Sequence, residues 1–165
     1  MSAPMLRIAT ASDVAGIHRL LLDAESWLAE RGIPMWLPVE LLIDPIRNDV
    51  AVGMHLVAEI DGEIAGTLRF QLEDALFWPD LPPAGSAFVH RLAVDRRFAG
   101  QGVSTALLGW AVNRARELDR EFLRLDCDAA RPRLRAFYER FGFRHHSDRQ
   151  VGPYFVARYE MRVDP

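Results

Sequence analysis

The dipeptide Asp61-Gly62 constrains the fold more than any other short segment, because it separates two runs of strand-like residues, 55–60 and 63–73. Asp-Gly is a strong signal for a two-residue hairpin turn, so the two runs are predicted to pair as antiparallel strands. Apolar and mostly polar residues alternate in the second run, which is typical of a half-buried strand. A tight hairpin here argues against a regular βαβ repeat.

The spacing of apolar residues and turn residues predicts the remaining elements. One helix follows a capping residue, Thr10 or Ser12, and a second is predicted over 38–48. Two more run from a glycine-bearing turn at 96–102 to about Leu118, and from Pro132 to Gly142. The predicted strands are 6–9, 55–60, 63–73, 87–95, 122–127, 143–150 and 154–163, with a proline-bearing loop over 74–86. This order predicts an α+β fold with a mixed, mostly antiparallel sheet.

Length and charge narrow the class of protein. A chain of 165 residues suits a single domain over 1–165. Its net charge of -3 gives no general attraction to nucleic acid or to anionic membranes. The arginines near residues 131–140 have no aromatic platform beside them, so no nucleic-acid partner is predicted. The apolar runs are too short to span a membrane, residues 1–10 lack a signal-peptide core, and Cys127 is the single cysteine. We therefore expect a reduced, cytoplasmic protein without a metal centre.

The turn at 96–102 has the composition of an anion site. Two glycines allow a close approach of the backbone, the following helix offers unpaired N–H groups, and Arg96 and Arg97 add charge. A Walker loop is excluded because Gly102 is followed by Val103. A dinucleotide loop would need a third glycine where Thr105 stands, although Asp126 follows at a suitable distance for a ribose. A nicotinamide enzyme and a plain strand-to-helix turn remain the alternatives for this segment.

Two segments together resemble the GNAT superfamily of N-acetyltransferases. The first is His90-Arg-Leu-Ala-Val-Asp followed by Arg97-x-x-Gly100-x-Gly102 and a helix, which is similar to motif A of the family. The second is Leu134-Arg-Ala-Phe-Tyr138-Glu-Arg-Phe-Gly142-Phe143, which resembles the family's helical tyrosine followed by Gly-Phe. The order of elements also fits the family fold. The resemblance implies a sheet that splays at the strand pair holding the acyl-CoA, with helices on both faces.

The resemblance implies acetyl-CoA as co-substrate and assigns residues to it. The turn would hold the pyrophosphate, and strand 90–95 would pair with the pantetheine arm. Where the family often has an asparagine, seven residues before the tyrosine, this chain has Arg131, which we assign to a CoA phosphate instead. The assigned residues are Leu92, Ala93, Val94, Arg96, Arg97, Phe98, Ala99, Gly100, Gln101, Gly102, Val103, Ser104 and Arg131.

Acetyl transfer to an amine needs a proton donor for the leaving thiolate and a neutral amine. The resemblance implies that Tyr138 is the donor; the alternative is a core aromatic. His90 is the candidate base, because an imidazole with an ordinary pKa of ~6.5 is mostly neutral at pH 7. The alternatives for this position are a packed or solvated histidine and a water chain. Asp126 would orient His90 or cap its strand, and Cys127 is a weak candidate for a covalent nucleophile.

The acceptor is predicted to be a small-molecule or peptide amine. Of the aromatic residues in the first helices and loops, Trp36 is the one assigned to this acceptor, although these rings can equally close the core. A catalytically silent acyl-CoA-binding module is the second hypothesis, because Arg131 replaces the asparagine and strand 88–95 carries no carboxylate base. A homodimer is also open, since exposed last strands often pair in this fold class.

Overall fold

Across residues 2–82 and 84–164, which the computed structural model describes, seven strands and four α-helices follow one another in the predicted order. Pro83, which belongs to the predicted loop 74–86, and the two end residues of the predicted domain 1–165 lie outside the described residues. The strands are β1 Met5–Ile8, β2 His55–Ile60, β3 Glu63–Gln71, β4 Ser86–Val94, β5 Phe122–Asp128, β6 Arg144–Val151 and β7 Tyr154–Arg162. The helices are α1 Val14–Ala29, α2 Ile43–Ala51, α3 Val103–Glu117 and α4 Pro132–Phe141.

The chain divides into two compact units. Unit 1 comprises residues 2–69 and 91–110, and unit 2 comprises the described residues of 70–90 and 111–164. The sheet has seven strands, and β4 has residues in both units. In unit 1 the strand order is β1-β2-β3 and then the end of β4. In unit 2 it is the start of β4 and then β5-β7-β6. The predicted mixed α+β architecture is confirmed.

The predicted hairpin is present in unit 1. Asp61 and Gly62 have φ values of 52° and 79°, the left-handed pair that a type I′ turn requires, and Ile60 pairs directly with Glu63. The prediction that β3 is half-buried is wrong, however. Thr67 and Leu68 are fully buried although, as neighbours in a strand, they face opposite sides of the sheet. An inner strand of this sheet is covered on both sides, and its small polar residues therefore escape the alternation rule.

Helices cover both faces of the sheet in unit 1. Residues of α1 and α2, including Ile17, Leu21 and Ile46, form one buried cluster with Val57 of β2. On the other face, α3 packs closely over Gly66 of β3. A Cβ atom at that glycine would lie 2.7 Å from Cγ1 of Val103 and 3.1 Å from Cδ1 of Leu107. Glycine is therefore needed where α3 approaches the sheet.

The second helix begins later than predicted. Residues Pro38–Leu41 form a short 3-10 turn, Leu42 is extended, and α2 runs over Ile43–Ala51 instead of 38–48. Pro45 explains the shift, because a proline lacks the N–H that an interior helical position needs but fits in the first turn of a helix.

In unit 2, β4 and β5 are parallel and their pairing is short. The ladder contains three residue pairs, from Ser86↔Phe122 to Phe88↔Arg124, although both strands continue beyond it. On its other side β5 pairs antiparallel with β7 along its whole length, and β6 pairs with β7. The predicted opening of the sheet between β4 and β5 is thus confirmed. No helix within the described residues is both long and apolar enough to cross a membrane.

We expect Gly66→Ala to lower the free energy of unfolding by about 1–3 kcal/mol, because the added methyl group overpacks the contact between β3 and α3. Gly109→Ala is the matched control. It lies on α3 with nothing within 4 Å of its Cβ position, so the better helix propensity of alanine should stabilise the protein by up to about 1 kcal/mol. Denaturant unfolding of both variants measures this, and a neutral Gly66→Ala would show that the contact is not tight.

Candidate active site

The glycine-bearing turn in unit 1 links β4 to α3 through a single 3-10 turn, Arg96–Phe98. Asp95 caps this turn by accepting a hydrogen bond of 2.9 Å from the backbone amide of Arg97. Gly100 and Gly102 have φ values of 77° and 79°, which side-chain-bearing residues rarely adopt. The two glycines therefore fix the path of the backbone immediately before α3 begins at Val103.

The amides of this turn fall into two groups. Those of Arg97, Phe98, Ala99 and Gln101 donate to acceptors within the turn. Among the described residues no acceptor is found for the amides of Gly100, Gly102, Val103 and Ser104. The latter set lies at the N-terminus of a helix, where unpaired N–H groups and the helix dipole favour an anion. The geometry thus narrows the predicted pyrophosphate donors to the second half of the segment.

The two arginines of the turn have different surroundings. Arg97 forms ion pairs with Asp95, at 2.9 Å, and with Glu63, at 3.3 Å. The guanidinium of Arg96 instead stacks on the ring of Trp27, 3.9 Å from its centroid. Both arginines line a cleft of about 510 Å³ together with Arg19 of α1. Arg96 is the better placed of the two to meet a phosphate, because its charge is paired with no carboxylate of the described residues.

In unit 2, the register of the β4–β5 ladder explains which side chains meet where the strands separate. The last pair is Phe88↔Arg124, and two residues further on, each strand presents its next side chain to the same face. Those two residues are His90 and Asp126. Nδ1 of His90 lies 3.8 Å from Oδ2 of Asp126, which is too far for a hydrogen bond.

His90 has a second carboxylate neighbour that the sequence did not indicate. Its Nε2 lies 2.6 Å from Oδ2 of Asp74, in the loop after β3. Since an ionised carboxylate can only accept, Nε2 carries the hydrogen and donates it. Burial alone would raise the pKa of Asp74, but the hydrogen bond from His90 and those from nearby backbone amides keep it below its usual value.

Asp126 has different surroundings. Its Oδ2 is buried and accepts no hydrogen bond from the described residues. Burial raises the pKa of Asp126 to about 6, while nearby His90 lowers it and the charge of Asp74 raises it by smaller amounts. The two carboxyl groups beside His90 therefore differ in environment and in acidity.

Three donor atoms from Asp74, His90 and Asp126 lie within 4.8 Å of one another, which is close enough for a metal ion to be considered. Ligands of zinc lie 2.0–2.2 Å from the ion and therefore ~3 Å or more from each other. The 2.6 Å contact between His90 and Asp74 is shorter than that separation. The described arrangement is that of a hydrogen-bonded pair.

Tyr138 lies on the inner face of α4 and is 6% exposed. Its ring contacts those of Phe137, Phe143 and Tyr159. Burial, and to a lesser extent the neighbouring Cys127 and Asp126, raise the pKa of this phenol above its usual value. The hydroxyl group therefore stays protonated at neutral pH, as a proton donor must.

Arg131 stands before α4 and makes no side-chain cap to it. Its Nη1 is buried and has no hydrogen-bond partner among the described residues. A buried guanidinium N–H without an acceptor is costly, and a bound anionic or carbonyl group would satisfy it. Taken by itself, this orphaned donor fits an oxygen of an acyl-CoA.

Trp36 is partly buried and packs against the core cluster of unit 1. Its loop is attached to α1, because Glu25 accepts hydrogen bonds from the backbone amides of Met35 and Trp36 at 2.9 and 3.0 Å. The Trp36 ring thus makes the core contacts expected if it closes the core, and its role in binding an acceptor stays a prediction.

Comparison with known proteins gives consistent results. Residues 23–143 match the model of the Acetyltransferase (GNAT) family. The uncharacterized N-acetyltransferase YesJ of Bacillus subtilis is 33% identical over 141 residues, which are 82% of this chain and 78% of that protein.

Solved structures agree with these sequence matches. A GNAT-family acetyltransferase from Listeria monocytogenes superimposes with a TM-score of 0.79 at 25% identity, covering 96% of this chain and 95% of the other. One from Streptococcus agalactiae gives a TM-score of 0.81 at 16% identity with the same coverage of both chains, and supports the fold alone. Since the family model spans most of the chain and the Bacillus relative exceeds 30% identity, this protein belongs to the GNAT family of N-acetyltransferases.

Proposed function

We propose that the protein transfers the acetyl group of acetyl-CoA to a primary amine, by direct attack within a ternary complex. The observation that carries this proposal is the set of unpaired amides at Gly100, Gly102, Val103 and Ser104, in a chain that belongs to an acetyltransferase family. Family membership also favours acetyl transfer over the nicotinamide alternative. Bound acetyl-CoA would supply an activated thioester.

Each unit, taken by itself, has residues suited to parts of acetyl-CoA. In unit 1, the four amides and Arg96 would bind phosphate oxygens, and Leu92, Ala93 and Val94 of β4 would offer backbone groups to the pantetheine. In unit 2, the end of the short β4–β5 ladder leaves backbone groups of β5 without a β4 partner. The orphaned Nη1 of Arg131 supports a contact to an acyl-CoA oxygen on this side.

The chemistry needs one proton removed from the amine and one delivered to the thiolate. His90 is the proposed base: Nε2 donates to Asp74, so the lone pair remains on Nδ1. Tyr138 is the proposed acid, because its raised pKa keeps the phenol protonated at neutral pH, so that it can donate a hydrogen bond and then a proton to the departing thiolate. If a water chain replaced His90 as the base, the proposed role of Tyr138 would be unchanged.

Direct transfer is favoured over a covalent acetyl-enzyme because of the state of Cys127. This thiol is buried, and burial together with nearby Asp126 raises its pKa to about 12. The thiolate is the nucleophilic form, so almost none is present at neutral pH. The acceptor is proposed to be a small molecule or peptide, and the protein itself is proposed to be cytoplasmic. A homodimer stays a prediction, and β6 is the strand at the sheet edge in unit 2.

Acetyl-CoA is expected to raise the melting temperature by several degrees, since a ligand at 100 times its Kd adds about 2.7 kcal/mol of stability. NAD should have no effect. Arg131→Ala should weaken acetyl-CoA binding about tenfold through loss of a charged hydrogen bond. Arg133→Ala, an exposed neighbour on α4, is the matched control. Thermal shift titrations with the two ligands and with the two variants measure these effects, and a shift with NAD alone would contradict the proposal.

Tyr138→Phe should lower kcat for acetyl transfer about a hundredfold, with little change in the KM for acetyl-CoA, because general acid catalysis typically contributes that much. Tyr159→Phe tests the specificity of this effect. Tyr159 is also buried, but its hydroxyl group bridges Arg135 and Glu139, so its loss should cost stability and spare kcat. Steady-state kinetics over an amine panel compares the variants. Equal turnover by wild type and Tyr138→Phe would instead support the silent acyl-CoA-binding module.

Cys127→Ala should retain kcat within about threefold, because an unionised buried thiol takes no part in direct transfer. The complementary measurement is mass spectrometry of the wild-type protein after incubation with acetyl-CoA alone. Acetylation at Cys127, accompanied by an inactive alanine variant, would establish the covalent route.

A further inference from the structure

Asp74, His90 and Asp126 form a largely buried cluster, in which Asp74 has so far served only as the acceptor for Nε2–H of His90 and Asp126 has had no role. We propose that they complete a proton-accepting site for the acceptor amine: Asp74 is a positioning residue that fixes the tautomer of His90, and Asp126 is the partner that stabilises its protonated form. This inference rests on the proposed function and adds two residues to it. All three side chains lie in unit 2.

The carboxylate of Asp74 is held rigidly. Its Oδ1 accepts the backbone amide of Phe77 at 3.0 Å and its Oδ2 accepts Nε2–H of His90 at 2.6 Å, so both oxygens are engaged. The ring of Phe77 in turn contacts His90, with 5.7 Å between centroids. With its Nε2–H anchored in this way, the imidazole keeps its lone pair on Nδ1.

The loop that carries Asp74 is itself anchored to the core of unit 2. Trp78 is 2% exposed, and its ring packs against Phe88 and beneath the guanidinium of Arg158. Arg158 is buried and binds Asp80 through both guanidinium ends, at 2.7 and 3.0 Å, and the carbonyl of Phe77 at 3.1 Å. A loop fastened at Phe77, Trp78 and Asp80 has little freedom to withdraw Asp74 from His90.

Asp126 faces the other nitrogen and is arranged differently. At 3.8 Å its Oδ2 makes no hydrogen bond to the neutral imidazole, whose Nδ1 offers a lone pair rather than a proton. Once Nδ1 is protonated, the positive charge of the imidazolium lies 3.8 Å from this carboxylate oxygen and attracts it. A buried oxygen that has no hydrogen-bond partner among the described residues thus gains a charged partner only in the protonated state.

The step balances as follows. An acceptor arriving as an ammonium ion transfers one N–H proton to Nδ1 of His90, which becomes an imidazolium between two carboxylates. The neutral amine then forms the N–C bond to the acetyl carbonyl, the C–S bond breaks, and the thiolate takes a proton from Tyr138. The second amine proton restores Tyr138 through solvent, and His90 returns its proton to solvent. A site with two carboxylates therefore favours acceptors that are cationic at neutral pH.

The charged groups around the imidazole determine the expected pH dependence. They are Asp74 from the loop after β3, Asp126 from β5 and, at longer range, Arg158 from β7, which acts on Asp126. Both carboxylates stabilise the imidazolium. Removing either charge should therefore shift the acid limb of kcat/KM to lower pH.

Three isosteric variants test the proposal on the full chain. Asp74→Asn should lower kcat about a hundredfold, leave the KM for acetyl-CoA unchanged and shift the acid limb to lower pH. Asp126→Asn should shift the acid limb in the same direction with about a tenfold loss of kcat. Asp148→Asn is the matched control, because Asp148 pairs with His145 at 2.8 Å on the surface, and it should change neither. Unchanged pH profiles in both cluster variants would overturn the proposal.

A second readout does not depend on turnover. Nitrogen-15 NMR of the histidine side chains, with the His90 signals assigned through His90→Gln, reports which nitrogen carries the hydrogen. At pH 8 we expect the Nε2–H form in the wild type and in Asp126→Asn, and its loss in Asp74→Asn. An Nδ1–H form in the wild type would overturn the role of Asp74. If the tautomers are as expected but no amine is acetylated, the failure belongs to the proposed function and not to the cluster.

Discussion

The early end of the parallel ladder between β4 and β5 is the constraint on which the chemistry of unit 2 depends. Pairing stops after Phe88 and Arg124, although both strands continue. The next side chains on that face, His90 and Asp126, therefore meet without backbone hydrogen bonds holding their strands together. Arg91 follows with a φ of 53°, a left-handed conformation that is uncommon for a non-glycine residue and that interrupts the regular strand. The side chains of His90 and Asp126 therefore lie just beyond the last residue pair of the parallel ladder.

The order of elements was predictable because local signals decide it. Asp61-Gly62 supplies the left-handed pair that a two-residue hairpin requires, and Pro132 and Gly142 bound α4 at positions where those residues are favoured. Burial was less predictable, since it depends on what covers each face. Ala65 and Thr67 of β3 are as buried as Leu68, because helices pack on both sides of that sheet in unit 1 and no pattern within the strand records this.

The candidate site shows the same division between local and distant information. His90, Tyr138 and the glycines of the turn could be proposed from short motifs. Asp74 could not, because it lies in an irregular loop sixteen residues before its partner and is brought to it by the burial of Trp78 and the contacts of Arg158. The sequence also did not predict which amides of the turn are unpaired. Asp95 accepts a hydrogen bond from one of them, and backbone carbonyls of the turn accept from others. The backbone geometry of the turn determines which amides are hydrogen-bonded, and the composition of the segment does not specify that geometry.

Two carboxyl groups of the same chemical type flank one imidazole, and their surroundings give them opposite properties. Asp74 receives hydrogen bonds on both oxygens, which keeps its pKa low despite burial. The Oδ2 of Asp126 receives none from the described residues, and burial raises the pKa of Asp126 to about 6. Stability alone would favour giving Asp126 a partner or replacing it with an apolar residue, because an unpaired buried carboxylate is costly. In the mechanism we propose, Asp126 gains a charged partner when His90 is protonated, and it lowers the free energy of that charged intermediate. The free energy that this buried carboxylate costs the folded protein would then contribute to catalysis.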